Sequence, residues 1–544
     1  MLQEELFIKF YFGKFSLTKT NDMLSTKLSQ VFIFLTMIIA MSCSTKKDSP
    51  GDALGEIEFK ATGKAEAQQN FKKGMLLLHS FEYEDAAEEF RKAINIDKDF
   101  TMAYWGEAMT HNHPLWRYQA YEKATATLKE LAPTPEERVA KTKTDFEKDL
   151  MRAINILYGK GSKLQRDSSY AAYMGKLYEK NHGNNEIASL YSIALIGSVP
   201  VGRNVEVYEQ AAEIAKEVLK SNPKHPGALH YLIHAYDDPA HAAMALTTAD
   251  EYAVVAPSAG HALHMPTHIY LSLGMWNKVI SSNIVSWDAG QQRKHRKKLT
   301  NDALNYHAYH WLEYGYLQNG RQEMARKILD SMNYFSKELG SGRAREHMIY
   351  QKSTFLAETN AYGNEVNSIE VKMDDLNIVT RAMNYFANGM NLFYKKDEKG
   401  MNAVITKLIG EIWVDETRIS NSSIKFCGSV NAELPNALDI EQATVMLLEL
   451  NAMNSWLKKD KDQTEKFLKR AVEMESKISY AFGPPTIVKP SFEMYGEWLL
   501  ENTRPKEAIE QFELSLKAAP NKLLSVKGKE KAEKFLKNNS TASL

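Results

Sequence analysis

Cysteine is nearly absent from this chain, with two residues in 544, Cys43 and Cys427. That excludes a disulfide framework and any cysteine-built zinc ribbon. Glycine (28) and proline (16) are sparse, and the residues between them are rich in Ala, Leu, Glu and Lys, a balance that favours helices over sheets. Charge of one sign is missing as well. The 68 basic and 68 acidic side chains cancel, so no net field recruits nucleic acid or an anionic membrane surface. No stretch approaches the roughly 18 consecutive apolar residues of a membrane-spanning helix. There is no HExxH, so a zincin-type hydrolase has no support, and Gly159-Lys160-Gly161-Ser162-Lys163 lacks the spacing that cradles phosphate.

What is present begins with an address. Met23-Leu24-Ser25-Thr26-Lys27 is a short basic start, and Val31 to Ala40 is an apolar run too short to cross a bilayer. Ala40-Met41-Ser42-Cys43 follows, then a polar stretch through Pro50. These residues resemble the lipobox of bacterial lipoproteins, which implies that Cys43 is lipidated and becomes the mature first residue. The expected organisation is an extra extension over 1–22, a signal peptide over 23–42 and a linker over 43–60. It puts the protein in the bacterial cell envelope, held to the membrane by lipid chains.

The body repeats itself. Between Ala67 and Phe100, Gly74, Ala86, Phe90 and Ala93 have the small–small–aromatic–small spacing of a tetratricopeptide repeat. Small residues let paired helices approach, and the aromatic fills the gap between them. The same ruler fits from Lys489 to Lys522 (Gly496, Ala508, Phe512, Ser515, Pro520) and from Val445 (Ala452, Thr464, Leu468, Ala471). Pro223 and Pro257 stand 34 residues apart, and further repeats open at Pro226, Gly260 and Tyr306. The expected fold is all-α, a right-handed α-solenoid of helix-turn-helix repeats. It is somewhat irregular, with a loop near 199–204, a solenoid over 61–408, an irregular connection over 409–438 and carboxyl-terminal repeats over 439–540. The basic run Arg293 to Lys298 reads as a solvated turn between repeats.

Ten of the 15 histidines lie between His225 and His310, where an even spread would put two or three. Their phase matters more than their number. His230 and His234 take the fifth and ninth places of the repeat opening at Pro226. His261, His264 and His268 take the second, fifth and ninth of the next. His307, His310 and Tyr314 do so in the repeat opening at Tyr306. Residues three or four apart share a helix face, so each set is one stripe. Asp237 and Asp238 lie one turn beyond His234, in reach as a carboxylate ligand or acceptor. His113, before Pro114 and near Trp105 and Met109, is a secondary candidate; His111-Asn112-His113 lacks the ββα setting of an HNH nuclease.

The segments His230 to Ala235, Gly260 to Ile269, Ala108 to Trp116 and Lys489 to Gly496 resemble a group of uncharacterised bacterial tetratricopeptide-repeat proteins. A more distant likeness runs to eukaryotic tetratricopeptide repeat protein 38. The resemblance covers the chain from about Ala67 to Phe535 and carries no activity. It implies that the first helix of each repeat lines a concave groove, so the stripes face that groove. Three readings stay open. The groove holds a protein, peptide or small-molecule ligand; or His230, His234, His261, His264, His268, His307 and His310 supply ligands to a divalent transition metal such as zinc, iron or copper, in a metal-binding protein or a metalloenzyme of hydrolase or oxidoreductase type; or the histidines are polar packing.

Overall fold

The spacing of apolar residues in each helix dictates how it pairs with the next. In α1 (Ala65–His79) and α2 (Tyr83–Ile96), the buried positions of α2 include Ala86, Phe90, Ala93 and Ile94, one face of a helix. Glu84, Glu88 and Lys92 are exposed. Phe90 is clasped by glycines of the flanking helices, because a Cβ at Gly74 would lie 2.8 Å from its ring and one at Gly106 2.4 Å. Burying such a ring contributes about 1.5–3 kcal/mol. Phe512 is held the same way between Gly496 and Gly528, where an added Cβ would lie 2.9 and 2.4 Å from it. The repeat rule read in the sequence is therefore a packing rule in three dimensions.

This computed structural model describes residues 53–200, 202–363, 365–420, 435–480 and 482–541. The extension, the signal peptide, Cys43 and Cys427 lie outside them. After α2 come α3 (Thr101–Met109), α4 (Tyr121–Leu131), α5 (Pro135–Lys141), α6 (Asp145–Leu157), α7 (Lys163–Lys180), α8 (Asn185–Ser198) and α9 (Val205–Ser221). The middle holds α10 (Pro226–Ala235), α11 (Leu246–Val255), α12 (Gly260–His264), α13 (Pro266–Ser272), α14 (Trp276–Lys297), α15 (Tyr306–Gln318), α16 (Gln322–Glu338) and α17 (Gly342–Thr359). The chain continues through α18 (Ile378–Tyr394), α19 (Glu398–Ser420), α20 (Ala437–Leu457), α21 (Lys461–Glu475), α22 (Ser491–Glu501), α23 (Pro505–Ala518) and α24 (Leu523–Thr541). Among the described residues the only sheet is a small hairpin, β1 (Asn112–His113) with β2 (Tyr118–Gln119). Each helix packs mostly on its sequence neighbours, so the chain is an all-α solenoid of helical hairpins. No described helix is long and apolar enough to cross a membrane.

Three expectations change. The connection expected to start at 409 is helical through Ser420, as the end of α19, and residues 421–434 lie outside the description. Apolar Leu408 and Ile412 are buried and keep that helix against its neighbours. Residues 53–60 are a packed strap and not a free linker: Leu54 and Ile57 are buried, and Glu56 N donates to Lys224 O at 2.9 Å. The basic run is no turn. Arg293 and Lys297 lie in α14 and pair with α2, Arg293 with Glu84 at 3.0 Å and Lys297 with Asp85 and Glu88 at 2.8 Å each.

The carboxyl-terminal repeats fold back on the middle of the chain. Trp276 Nε1 donates to Asn521 O at 2.9 Å, and Leu523 N donates to Gln318 Oε1 at 2.8 Å. Between α21 and α22, the Tyr480 hydroxyl is 3.2 Å from that of Ser272, and a Cβ on Gly483 would lie 2.4 Å from the Trp311 ring. Trp311 in turn lies against His268, among the histidines.

Candidate metal centre

α10 starts at Pro226, which fits the first helical turn because it has no N–H to leave unpaired. His225 caps it, with Nδ1 accepting from Ala228 N at 3.1 Å. The next repeat is broken at Pro266 into α12 and α13, since proline cannot donate within a helix. The break leaves His261, His264 and His268 in a single stripe, now facing α10 on one side and α15 on the other.

Six of the seven expected ligand candidates come together as two neighbouring triads. His230, His234 and His261 form one, and His264, His268 and His307 the other; in each, one ligand atom per residue lies within 4.8 Å of the rest. His234 Nε2 hydrogen-bonds His230 Nε2 at 3.1 Å, with His234 donating because the His230 proton is on Nδ1. Ring centroids of His264 lie 5.1 Å from His268 and 5.0 Å from His307. The triads are joined through His234, Asp237 and His268, which also bring their ligand atoms within 4.8 Å. His230, His234, His264 and His268 are buried, whereas His261 and His307 are partly exposed.

The hydrogen bonds on the outer nitrogens fix how three rings present themselves. His230 Nδ1 donates to His79 O at 2.7 Å. His264 Nδ1 meets Asn283 Oδ1 at 2.7 Å, and the Asn283 amide donates to Val279 O, leaving its oxygen as the acceptor. His268 Nδ1 bonds the Asp237 carboxylate. Each ring thus carries a proton on Nδ1 and turns its Nε2 inward, and in His230 and His264, which burial keeps neutral, that Nε2 is the unprotonated nitrogen that can bind a metal. Burial, aided by neighbouring imidazoles, pulls His230 and His264 down to about 3. The same causes pull His234, His261 and His307 well below the usual histidine value. The Nε2 atoms of His261 and His264 are buried without a hydrogen-bond partner.

The remaining candidates sit elsewhere. His310 bonds Thr354 Oγ1 at 3.1 Å, outside both triads. Trp105 is fully buried and packs on Phe59, so it is a core residue. His113 stacks on Tyr83 at 3.9 Å, Met109 lines an apolar cavity, and Tyr314 packs edge-on against Trp276. Sequence reasoning missed Phe81, whose ring lies 4.2 Å from His230, and Trp311, 4.4 Å from His268. It also missed the buried set His79, Glu186 and His225. Glu186 bridges the two rings at 3.0 and 3.2 Å, and burial is outweighed by those histidines, which hold its carboxyl well below the usual range. His225 Nε2 must donate to Glu186, since its Nδ1 is an acceptor, so this set is fully hydrogen-bonded as it stands. Only the crowding of histidines near His225 hinted at it; His79 and Glu186 stand far upstream.

No family model and no curated protein matches the chain. Solved structures similar to it include the Cut9–Hcn1 hetero-tetramer of the APC/C, at 10% identity, 93% of this chain, 81% of that one and a TM-score of 0.35. Yeast Tom70 is similar at 13% identity, 87% of this chain, 96% of that one and 0.30. The human IFIT1 dimer with PPP-AAAA is similar at 12%, 90%, 99% and 0.35. Likenesses this distant carry no inference about function, and the helical-hairpin solenoid stands on the chain's own packing.

Proposed function

We propose that the protein binds transition-metal ions in its histidine centre, one at His230, His234 and His261 and one at His264, His268 and His307. One observation carries this reading: the Nδ1 atoms of His230, His264 and His268 are all taken by acceptors, which turns one Nε2 toward the first triad and two toward the second. The spacing agrees. Two nitrogens on one tetrahedral zinc stand roughly 3.3 Å apart, and the His230–His234 pair is at 3.1 Å. Zinc, iron and copper all suit imidazole. Three imidazoles leave a fourth position for water or a substrate atom, where a bound ion would act as a Lewis acid.

A peptide or protein partner in the same groove has less support, because Tyr480 and Gly483 pack on Ser272 and Trp311 beside the histidines. An ion needs no such segment moved. Elemental analysis of the chain purified from Ser44 onward tests the proposal. We expect about two ions per chain, falling to about one in His264→Ala/His268→Ala. Metal-free protein, with the same stability in metal-supplemented and chelator-treated buffer, would sink it.

The anchor is a separate proposal resting on the signal-like run from Met23 to Cys43 and the polar stretch that follows it. Lipidation at Cys43 would tether the solenoid to an envelope membrane. Membrane fractionation of Cys43→Ser decides it, since retention equal to wild type would refute lipidation.

A further inference from the structure

A second place in the fold leaves a charge without a partner. α4, α5 and α6, with Pro133 and Tyr158 beside them, border a cavity of about 260 Å³. Its wall shares no residue with either histidine triad. The short helix α5 is fixed at its start by Thr134, whose Oγ1 accepts from Glu137 N at 3.2 Å while its N donates to Glu137 Oε2 at 3.1 Å. Pro135 takes the first turn, where a missing N–H costs nothing. That braced turn sets Arg138 in the cavity wall.

Arg138 is 8% exposed, yet among the described residues no carboxylate pairs with it, and its Nε has no hydrogen-bond partner. Burial works against its charge, and the nearby Glu136 does not make up the loss. An arginine is seldom buried unpaired, because an uncompensated charge is costly away from water. Asn155, also in the wall, is unfinished too. Its Nδ2 donates to Pro135 O at 3.3 Å, which leaves Oδ1 buried without a donor. The other hydroxyls of the wall are taken: Tyr121 donates to Gly159 O at 3.1 Å, Tyr158 to Ala108 O at 2.9 Å and Thr125 to Tyr121 O at 2.9 Å. Leu128, Pro133 and Pro135 add apolar surface, and no carboxylate lines the cavity. Lys129, the other cation of the wall, is exposed. One buried positive charge and one unmet acceptor call for a monoanion that carries a donor.

We propose that this cavity binds a small organic carboxylate with an apolar body and one hydroxyl or N–H, the carboxylate pairing with Arg138 and the donor meeting Asn155 Oδ1. A planar guanidinium matches a carboxylate in shape as well as charge. The site does not depend on a metal. Calorimetry on the chain from Ser44 onward tests it with three probes of similar size: 4-hydroxybenzoate, benzoate and 4-hydroxybenzamide. 4-Hydroxybenzoate should bind saturably, benzoate about fivefold more weakly for want of the donor, and the uncharged amide at least about tenfold more weakly. Arg138→Gln should erase the preference for the acid over the amide. Relieved of an unpaired buried charge, that variant should unfold no earlier than wild type on heating. Asn155→Leu should erase the preference for 4-hydroxybenzoate over benzoate. Absence of saturable 4-hydroxybenzoate binding to wild type, an amide that binds as well as the acid, or either preference surviving in its variant would each overturn the proposal. Chelation leaves all these expectations unchanged, so failure here is distinguishable from failure of the metal reading.

Discussion

Asp237 does two jobs with one carboxylate. One oxygen holds His268 Nδ1, and the other accepts from Ser272 Oγ at 3.3 Å, so the side chain cannot turn without breaking both contacts. It is wholly buried, and its negative charge raises the electron density on the imidazole it holds. Asp237→Asn keeps the shape and an acceptor oxygen but removes the charge. Competition titration against a chelator should show metal affinity lower by about 10–100-fold, with thermal unfolding of the metal-free chain close to wild type. Equal affinity would remove Asp237 from the centre. At this scale the sequence revealed the ligand candidates and one support, Asp237, but not the others. His230, His264 and His268 share a phase that any helical ruler finds. The carbonyl of His79, the amide of Asn283 and the ring of Trp311 reach the same place from other helices, and nothing local marks them.

At the level of elements, legibility follows the distance over which a constraint acts. Gly74, Ala86, Phe90 and Ala93 sit within one hairpin, so their spacing records the packing directly. Gly106 closes on the same Phe90 ring from the next helix and escapes that ruler, although its hypothetical Cβ is closer, 2.4 Å against 2.8 Å. The strap at 53–60 was misread for a related reason. Its partners, Lys224 and Ser258, belong to the middle repeats, and an extended segment has no periodicity to declare what it packs on. The Phe90 clasp makes a graded prediction. Gly106→Ala should destabilise the chain by about 1–3 kcal/mol through overpacking, and Phe90→Ala by about 3–5 kcal/mol through the cavity it leaves. Combining them should cost less than the sum, because the added methyl then occupies part of the vacated space. Urea unfolding of the three variants reads this coupling, and strict additivity would mean the clasp is not a shared contact.

The whole molecule is held in register by a buried charge at its far end. Lys522, fully buried just before α24, reaches Glu358 of α17 at 2.8 Å and Glu493 of α22 at 2.9 Å. Burial alone would lower its pKa; the two carboxylates outweigh that and raise it. Glu493 also accepts from Ser525 Oγ at 2.6 Å and faces Lys489 at 3.5 Å. This network ties the last repeats to the middle of the solenoid, and it joins residues that no repeat pattern relates. A solenoid without such a tie would unfold repeat by repeat, whereas this one couples its end to α17, which packs on α15, the helix bearing His307 and Trp311. Lys522→Met keeps the length of the side chain and removes its charge, leaving Glu358 and Glu493 buried together. Breaking one partner of a buried pair typically costs about 3–5 kcal/mol, so hydrogen exchange should rise throughout α22 to α24 at neutral pH. Adding Glu358→Gln and Glu493→Gln to Lys522→Met removes the stranded charges and should recover much of the protection, because the penalty lies in the unpaired carboxylates and not in the lost contact. Protection that stays low in the triple variant would place the tie in the hydrogen bonds of Trp276 to Asn521 and of Leu523 to Gln318, which join the same regions.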